Sequence, residues 1–136
     1  MKITLKDFLC YQNSTFDFGN EGMALLSGPS GVGKTSILRG IFFALFGEGN
    51  KLQTYGKLSC RVELEFDDIK IVRTKRPNRL VVNDVYEDDS AQEIINKKFG
   101  DTFKTSGYIQ QNNLSSFILM SPIEKLAYSY IIIFLS

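Results

Sequence analysis

Eight consecutive residues of the 136-residue chain combine three glycines with a lysine and a hydroxyl side chain. Residues 28–35 read Gly-Pro-Ser-Gly-Val-Gly-Lys-Thr and match the pattern G-x-x-x-x-G-K-[ST] at every fixed position. The glycines allow tight turns and close approach of the backbone, so successive N–H groups can surround an anion. The spacing therefore predicts a loop that binds the phosphates of a nucleotide.

The lysine and threonine of this motif have separate predicted tasks. We expect Lys34 to contact the β- and γ-phosphates and the Thr35 hydroxyl to hold Mg²⁺, with ATP and Mg²⁺ as the cofactors. The alternative is a glycine-rich turn that binds no nucleotide. The predicted binding residues are Gly28, Pro29, Ser30, Gly31, Val32, Gly33, Lys34, Thr35 and Ser36.

A loop of this kind needs a strand before it and a helix after it. Residues 23–27 form a short apolar run without polar alternation, which is typical of a central strand buried on both faces. From Lys34 the apolar residues recur at helical spacing, and Gly47 is positioned to end that helix. The apolar positions are Ile37, Leu38, Ile41, Phe42 and Leu45.

The remaining segments predict mostly antiparallel strands. Residues 60–67 alternate strictly between apolar and charged side chains, which indicates a half-exposed strand. Asn83-Asp84 is typical of a tight hairpin turn. We also predict strands over 2–11, 16–18, 69–73, 80–82, 85–86 and 108–109, a loop over 47–57, a helix from Asp89 or Ser90 to Phe99 that stops at Gly100, and a last helix from Ser121-Pro122.

Hydrolysis in this class of site needs a second motif, an apolar strand that ends in a carboxylate. Residues 62–68 end in Asp67-Asp68, but their charge alternation belongs to a half-exposed strand. Residues 80–84 are better explained as a hairpin. We therefore expect the chain to bind nucleotide while lacking half of the hydrolytic machinery.

Composition excludes several other classes of site. The chain has no His, which removes Ser-His and Cys-His catalytic pairs and the common zinc sites. Cys10 and Cys60 are too few for a disulfide scaffold, and we expect both thiols to be buried. Asp7 interrupts any signal peptide, and no apolar run reaches the roughly 20 residues of a membrane helix. The expectation is an intracellular protein, cytoplasmic or nuclear, without membrane contact.

Five basic residues fall within ten positions of a chain whose net charge is only +1. On a strand and its turn they could face a DNA backbone. The alternative is a solvated hairpin balanced by the acidic residues 87–89, and we favour it because no aromatic residues interleave with the charges. The basic residues are Lys70, Arg73, Lys75, Arg76 and Arg79.

The order of these segments resembles that of the SMC, Rad-fifty and SbcC ATPases. The similar segments are Asp7-Phe8-Leu9-Cys10-Tyr11 followed by Phe16-Asp17-Phe18, the helix of residues 34–47, the glutamine-containing segment 109–113, and residues 120–126 with Ser-Pro-Ile-Glu-Lys. The chain departs from the family at Ser30, where Asn is usual, and at Leu9, where many repair members have Arg. The similarity extends over essentially the whole chain.

The resemblance implies a fold, a site and partners. The fold would be an α/β P-loop NTPase half-domain, the N-terminal lobe of an ABC-type head, with an antiparallel β-subdomain. Gln111 would be the Q-loop residue that contacts Mg²⁺ and the attacking water, with Gln110 as the alternative. A single lobe would comprise opening strands over 1–27, the P-loop and its helix over 28–47, a meander over 58–87, and a helix, Q-loop and terminal helix over 89–136.

Members of this family continue into a coiled coil and a C-terminal lobe with the signature motif and the Walker B carboxylate, none of which is present in these 136 residues. Residues 128–136 lack heptads, which we interpret as a truncation or frame change. The resemblance implies a C-terminal lobe or second head as partner, a nuclease subunit, and a role in double-strand-break repair or chromosome maintenance.

Two other functions stay open at this stage. Residues 26–34 also resemble the loop of guanylate-kinase-like nucleotide kinases, although those enzymes begin almost directly with the strand before the loop. The other possibility is a degenerate fragment that binds nucleotide weakly or not at all.

Overall fold

The computed structural model describes residues 1–19 and 24–102. Within these ranges the chain forms six strands and two helices. In chain order they are β1 (Lys2–Phe8), β2 (Tyr11–Asp17), α1 (Lys34–Phe46), β3 (Cys60–Phe66), β4 (Ile69–Lys75), β5 (Arg79–Val82), β6 (Tyr86–Glu87) and α2 (Asp88–Thr102).

All six strands belong to one antiparallel sheet with the order β2-β1-β3-β4-β5-β6. The predicted meander is confirmed over β3 to β6, and the opening hairpin joins it because β1 pairs with β3. The predicted bounds of the opening hairpin are wrong. The second strand is β2 (Tyr11–Asp17) and not residues 16–18. The first strand ends at Phe8 rather than at residue 11, and Leu9 and Cys10 form the turn, with Leu9 at φ 50°.

One face of the sheet is apolar, and α1 lies against it. Helix α1 contacts β1, β3 and β4, and Gly40 faces the side chains of β1. A Cβ on Gly40 would lie 2.6 Å from Leu5 Cδ2, so the backbone of α1 rests directly on β1. The buried sheet residues on this face include Ile3, Leu5, Val62, Leu64, Ile71 and Val82.

Glycines mark the ends of the helices as the sequence predicts. Gly47 adopts the left-handed conformation after α1, and its N–H donates to the Phe43 carbonyl at 2.8 Å. Gly100 has non-helical angles within the range of α2. Asn83 and Asp84 both have positive φ in the turn between β5 and β6, which confirms the predicted hairpin.

The predicted central strand over residues 23–27 is wrong where the structure describes it. Residues 24–27 form no strand, and Leu25 is 89% exposed. A strand needs a hydrogen-bonded neighbour for its backbone groups. None of the six strands in the described ranges pairs with this apolar run.

The chain divides into two compact units, residues 1–94 and 95–136. The sheet and α1 belong to the first unit. Of the second unit, the structure describes residues 95–102. The predicted strand at 108–109, the Q-loop and the last helix lie outside the described residues.

Candidate nucleotide-binding site

The glycine-rich loop leads directly into the N-terminus of α1. Three of its residues have positive φ, namely Gly28 at 150°, Gly31 at 85° and Gly33 at 99°. Gly33 precedes the helix, and no side chain caps the helix N-terminus. The Gly33 carbonyl accepts hydrogen bonds from the Ser36 and Ile37 amides at 3.0 and 3.2 Å. The loop therefore surrounds the positive end of a 13-residue helix dipole, a geometry suited to anions.

The Lys34 side chain bends back over the loop. Its Nζ donates to the carbonyl oxygens of Gly28 at 2.6 Å and Pro29 at 2.7 Å. Both contacts are exposed, so the ammonium can exchange these carbonyls for an external oxygen at little cost. The backbone turns and the cation thus lie together at the exposed loop.

The β1–β2 hairpin packs against the last glycine of the loop. A Cβ at Gly33 would lie 2.6 Å from the Tyr11 hydroxyl oxygen and 2.8 Å from Cys10 Sγ. The Tyr11 hydroxyl donates to the Gly33 carbonyl at 3.3 Å. Burial raises the pKa of Tyr11 above 10, and Cys10 adds a smaller increase, so the phenol is a neutral donor at neutral pH. No pattern in the sequence predicts this contact between residues 22 positions apart.

A loop between α1 and β3 supports the same hairpin. The Leu9 amide donates to the Leu52 carbonyl at 2.7 Å, and the Thr54 amide donates to the Asp7 carbonyl at 2.8 Å. Thr54 Oγ1 donates to the Tyr11 carbonyl at 3.2 Å. Because Leu52 is buried, this loop fixes the hairpin turn that contacts Gly33.

The C-terminal end of α1 is held by two polar side chains. Arg73 on β4 donates from Nε to the Ala44 carbonyl at 2.9 Å and from Nη2 to the Leu45 carbonyl at 3.3 Å. Arg73 Nη2 also donates to Gln92 Oε1 at 2.6 Å, and Gln92 Nε2 donates to the Leu45 carbonyl at 3.0 Å. Burial lowers the pKa of Arg73 to about 10, partly offset by Asp88, so the guanidinium stays charged at neutral pH.

The five basic residues considered for DNA do not form one surface. Arg73 points toward α1, whereas Lys70, an odd number of positions away on β4, lies on the opposite face. Lys75 Nζ donates to the Gly49 carbonyl at 2.6 Å. Arg79 pairs with Glu87 at 2.7 Å, in agreement with the favoured alternative of a charge-balanced hairpin. Arg76 is exposed in the turn between β4 and β5.

The aspartates considered above for the hydrolytic carboxylate, and not favoured there, both lie in turns. Strand β3 alternates between buried and more exposed residues, and Asp67 follows it with φ 50°. Asp84 lies in the β5–β6 hairpin and forms an ion pair with Lys70 at 3.9 Å. No cluster of three metal-ligating side chains occurs among residues 1–19 and 24–102. Gln110 and Gln111 lie outside the described residues, as noted for the rest of the Q-loop.

The two cysteines differ in exposure. Cys60 is buried, as expected, but Cys10 is exposed in the hairpin turn, so that half of the prediction is wrong. Strand β1 ends at Phe8, so the following turn places the Cys10 thiol at the surface, beside Gly33 of the glycine-rich loop. In the part of the chain that the structure describes, neither helix has the length and apolar character needed to span a membrane.

Comparison with known proteins identifies the family. The AAA domain family matches residues 2–129. The DNA double-strand break repair Rad50 ATPase of Methanocaldococcus jannaschii is 30% identical over 145 residues, which cover 92% of this chain and 14% of that protein. The homologous Rad50 ATPase of Methanococcus maripaludis is 31% identical over 144 residues, covering 90% of this chain and 14% of that protein.

Viral and structural relatives extend the comparison. Uncharacterized protein 050L of Invertebrate iridescent virus 6 is 46% identical over 135 residues, covering 94% of this chain and 12% of that protein. A solved structure from work on ATP-driven dimerization and DNA-stimulated activation of SMC ATPases superposes with a TM-score of 0.69 at 20% identity. The match covers 96% of this chain and 97% of that chain.

These findings confirm the predicted resemblance and the predicted α/β half-domain fold. They do not favour a nucleotide kinase. The chain spans between 12% and 15% of the length of the first curated relatives that it matches.

Proposed function

The chain belongs to the AAA domain family, and from that premise we propose that it is the ATP-binding N-terminal lobe of an ATPase similar to Rad50 and SMC proteins. Residues 28–36 bind the triphosphate, and Lys34 contacts the β- and γ-phosphates. This is a single lobe that hydrolyses ATP only when a C-terminal lobe or a second head completes it.

One observation carries the proposal. The Lys34 ammonium lies within 2.7 Å of the Gly28 and Pro29 carbonyls, inside the turn that surrounds the N-terminus of α1. The positive φ angles of Gly28 and Gly31, together with the tight contact at Gly33, explain why glycine occupies these positions. The loop thus supplies both elements of phosphate recognition, backbone N–H groups and a cation.

The residues also fit a magnesium-bound nucleotide. Thr35 is exposed in the first turn of α1, directly after Lys34, where its hydroxyl can ligate Mg²⁺ beside the bound phosphates. Magnesium neutralises phosphate charge when it is bound. Gln111 would add a further oxygen ligand and orient water. The proposal for Gln111 rests on sequence resemblance.

The names of the relatives support a proposal for the cellular role. Two of them are named as DNA double-strand break repair ATPases, and we infer a role in repair or chromosome maintenance for this chain. DNA and a nuclease subunit are proposed partners of the completed protein. If this lobe contacts DNA, the exposed Arg76 and the opposite-face Lys70 are better placed to do so than Arg73, which is engaged with α1.

The direct test is nucleotide binding by the purified 136-residue chain. We expect a fluorescent ATP analogue to bind in the presence of Mg²⁺ and ATP to raise the thermal unfolding temperature. Lys34→Ala should abolish both effects, because it removes the cation from the loop. Lys2→Ala is the matched control, since Lys2 is an exposed lysine whose ion pair with Glu65 spans 3.8 Å.

The outcomes separate the competing functions. Unchanged affinity in Lys34→Ala contradicts the proposed site. Absence of any ATP-dependent thermal shift in the unmodified chain supports a degenerate fragment. Phosphoryl transfer to GMP would establish the kinase alternative, and appreciable ATP turnover by the isolated chain would contradict the need for a second lobe.

A further inference from the structure

Helix α1 connects the phosphate-binding loop to a polar cluster at its other end. We propose that Arg73, together with Gln92, is a positioning residue for the nucleotide site: the pair fixes the C-terminal end of α1 and thereby sets the place of Lys34 and the loop. The inference deepens the proposed function and rests on it.

The contacts of Arg73 are directed at the helix end. The last four carbonyls of a helix have no partner within the helix. Arg73 satisfies those of Ala44 and Leu45, and Gln92 donates a second hydrogen bond to Leu45. A cation is also favoured at the negative end of the helix dipole. Charge-assisted hydrogen bonds of this kind are stronger than neutral ones.

Gly47 shows how close this packing is. A Cβ on Gly47 would lie 2.6 Å from Arg73 Nη1. The guanidinium therefore occupies the space directly beside the helix end, and its link to Gln92 at 2.6 Å restrains it from the side of α2. Arg73 cannot shift without moving either the helix terminus or Gln92.

The position of Gly40 means that a displacement of the C-terminal end of α1 also displaces the loop at its N-terminal end. Gly40 packs against Leu5, and we infer that this contact is the pivot of α1. Gly33 lies seven residues to one side, about 10 Å away, and Leu45 lies five residues to the other side, about 7.5 Å away, at 1.5 Å per residue. A tilt that displaces the C-terminal end by about 1 Å thus displaces the loop by about 1.4 Å, enough to weaken oriented binding.

The test compares nucleotide affinity in three variants of the 136-residue chain. Arg73→Met keeps the aliphatic stem and removes every hydrogen bond, and we expect ATP to bind about tenfold more weakly. Arg73→Lys keeps the charge but replaces the planar fork, whose Nε and Nη2 reach separate acceptors, with a single point-like ammonium, so its affinity should be intermediate. Ile71→Val is the control, because it removes a buried methylene on the same face of β4 without touching the helix end.

A second comparison uses the partner side chain. Gln92→Ala should weaken binding less than Arg73→Met, and the double variant should bind as Arg73→Met does, because the two side chains act as one unit. A purely structural role would instead lower the thermal stability of Arg73→Met and Ile71→Val while leaving the affinity of the folded protein unchanged. That result would overturn the proposal.

A readout without nucleotide separates this proposal from the proposed function. In the nucleotide-free chain, Arg73→Lys should shift the amide NMR resonances of Gly31 and Gly33, whereas Ile71→Val should not. If the unmodified chain binds no ATP but these resonances move, the proposed function fails, and only the mechanical coupling between Arg73 and the loop is retained. If ATP binds and the resonances do not shift, the positioning role of Arg73 is contradicted and the proposed function is retained.

Discussion

Tyr11 and Gly33 lie 22 positions apart in sequence, and the Tyr11 hydroxyl donates to the Gly33 carbonyl at 3.3 Å. This contact joins the opening hairpin to the last glycine of the glycine-rich loop, directly before α1. Thr54, in the loop between α1 and β3, donates a hydrogen bond to the Tyr11 carbonyl and so stabilises the hairpin beside this contact. The loop geometry therefore depends on residues far from the motif.

Gly33→Ala should disrupt this junction. The added Cβ would lie 2.6 Å from the Tyr11 hydroxyl oxygen, and φ 99° is strained for any L side chain. We expect the free energy of unfolding to fall by about 1–3 kcal/mol, measured by urea denaturation. Gly31→Ala is the control, because it has a similar φ of 85° but no atom within 4 Å. Equal losses in the two variants would contradict the close contact.

Tyr11→Phe removes the hydroxyl and keeps the ring. We expect a loss of about 0.5–1.5 kcal/mol of stability at pH 7, the usual net value of one hydrogen bond. Because the pKa of Tyr11 is raised in the folded protein, its stabilising contribution is fully present below pH 10 and is lost as pH rises above that value.

Urea denaturation of the two proteins between pH 7 and 11 checks this dependence. The stability difference between them should be constant up to about pH 10 and should narrow above it. A difference that stays constant or widens up to pH 11 would contradict a pKa raised by burial, because the contribution falls with pH only where the folded protein holds the phenol proton more tightly than the unfolded chain does.

The two thiols should react at different rates. Cys10 is exposed, whereas Cys60 is buried, and burial raises the pKa of Cys60, partly offset by Lys75. Because the thiolate is the reactive form, one thiol should react rapidly with a disulfide reagent at pH 8 and the other only on unfolding. Cys10→Ser should remove the fast phase and Cys60→Ala the slow one. Two fast phases would contradict the burial of Cys60.

The pivot of α1 can be tested at Gly40. Gly40→Ala places a Cβ 2.6 Å from Leu5 Cδ2, in a well-packed core, and should lower the free energy of unfolding by about 1–3 kcal/mol. Combining it with Leu5→Val should cost less than the sum of the single changes, because the smaller side chain makes room. Additive losses, measured by urea denaturation, would show that the two residues are not in contact.

Local patterns predicted much of the sheet. The alternation of Cys60–Phe66 specified a half-exposed strand, and the structure places it as β3 in the interior of the sheet. Asn83 and Asp84 tolerate positive φ, so their turn was predictable. Gly47 was predictable as the helix end for the same reason. In each case the preference resides in a few neighbouring residues.

Predictions failed where a distant partner decides the conformation. The apolar run 24–27 has the composition of a buried strand, but strand formation requires hydrogen-bonding neighbours, and it has none in the described ranges. The turn at Leu9 and Cys10 was missed because neither is a usual turn residue. The turn is placed at Leu9 and Cys10 by the pairing of β1 with β2 and by the hydrogen bond from the Leu9 amide to the Leu52 carbonyl.

The sequence by itself determined the glycine-rich loop, because the chemistry proposed for it lies in eight contiguous residues whose backbone freedom and charge are set by residue type. Only the tertiary structure decided the role of Arg73. In the sequence it belongs to a basic cluster suited to DNA, but in the fold its guanidinium holds the end of α1. Strand alternation and the position of the helix determine which face a side chain occupies, and both depend on how the whole sheet pairs.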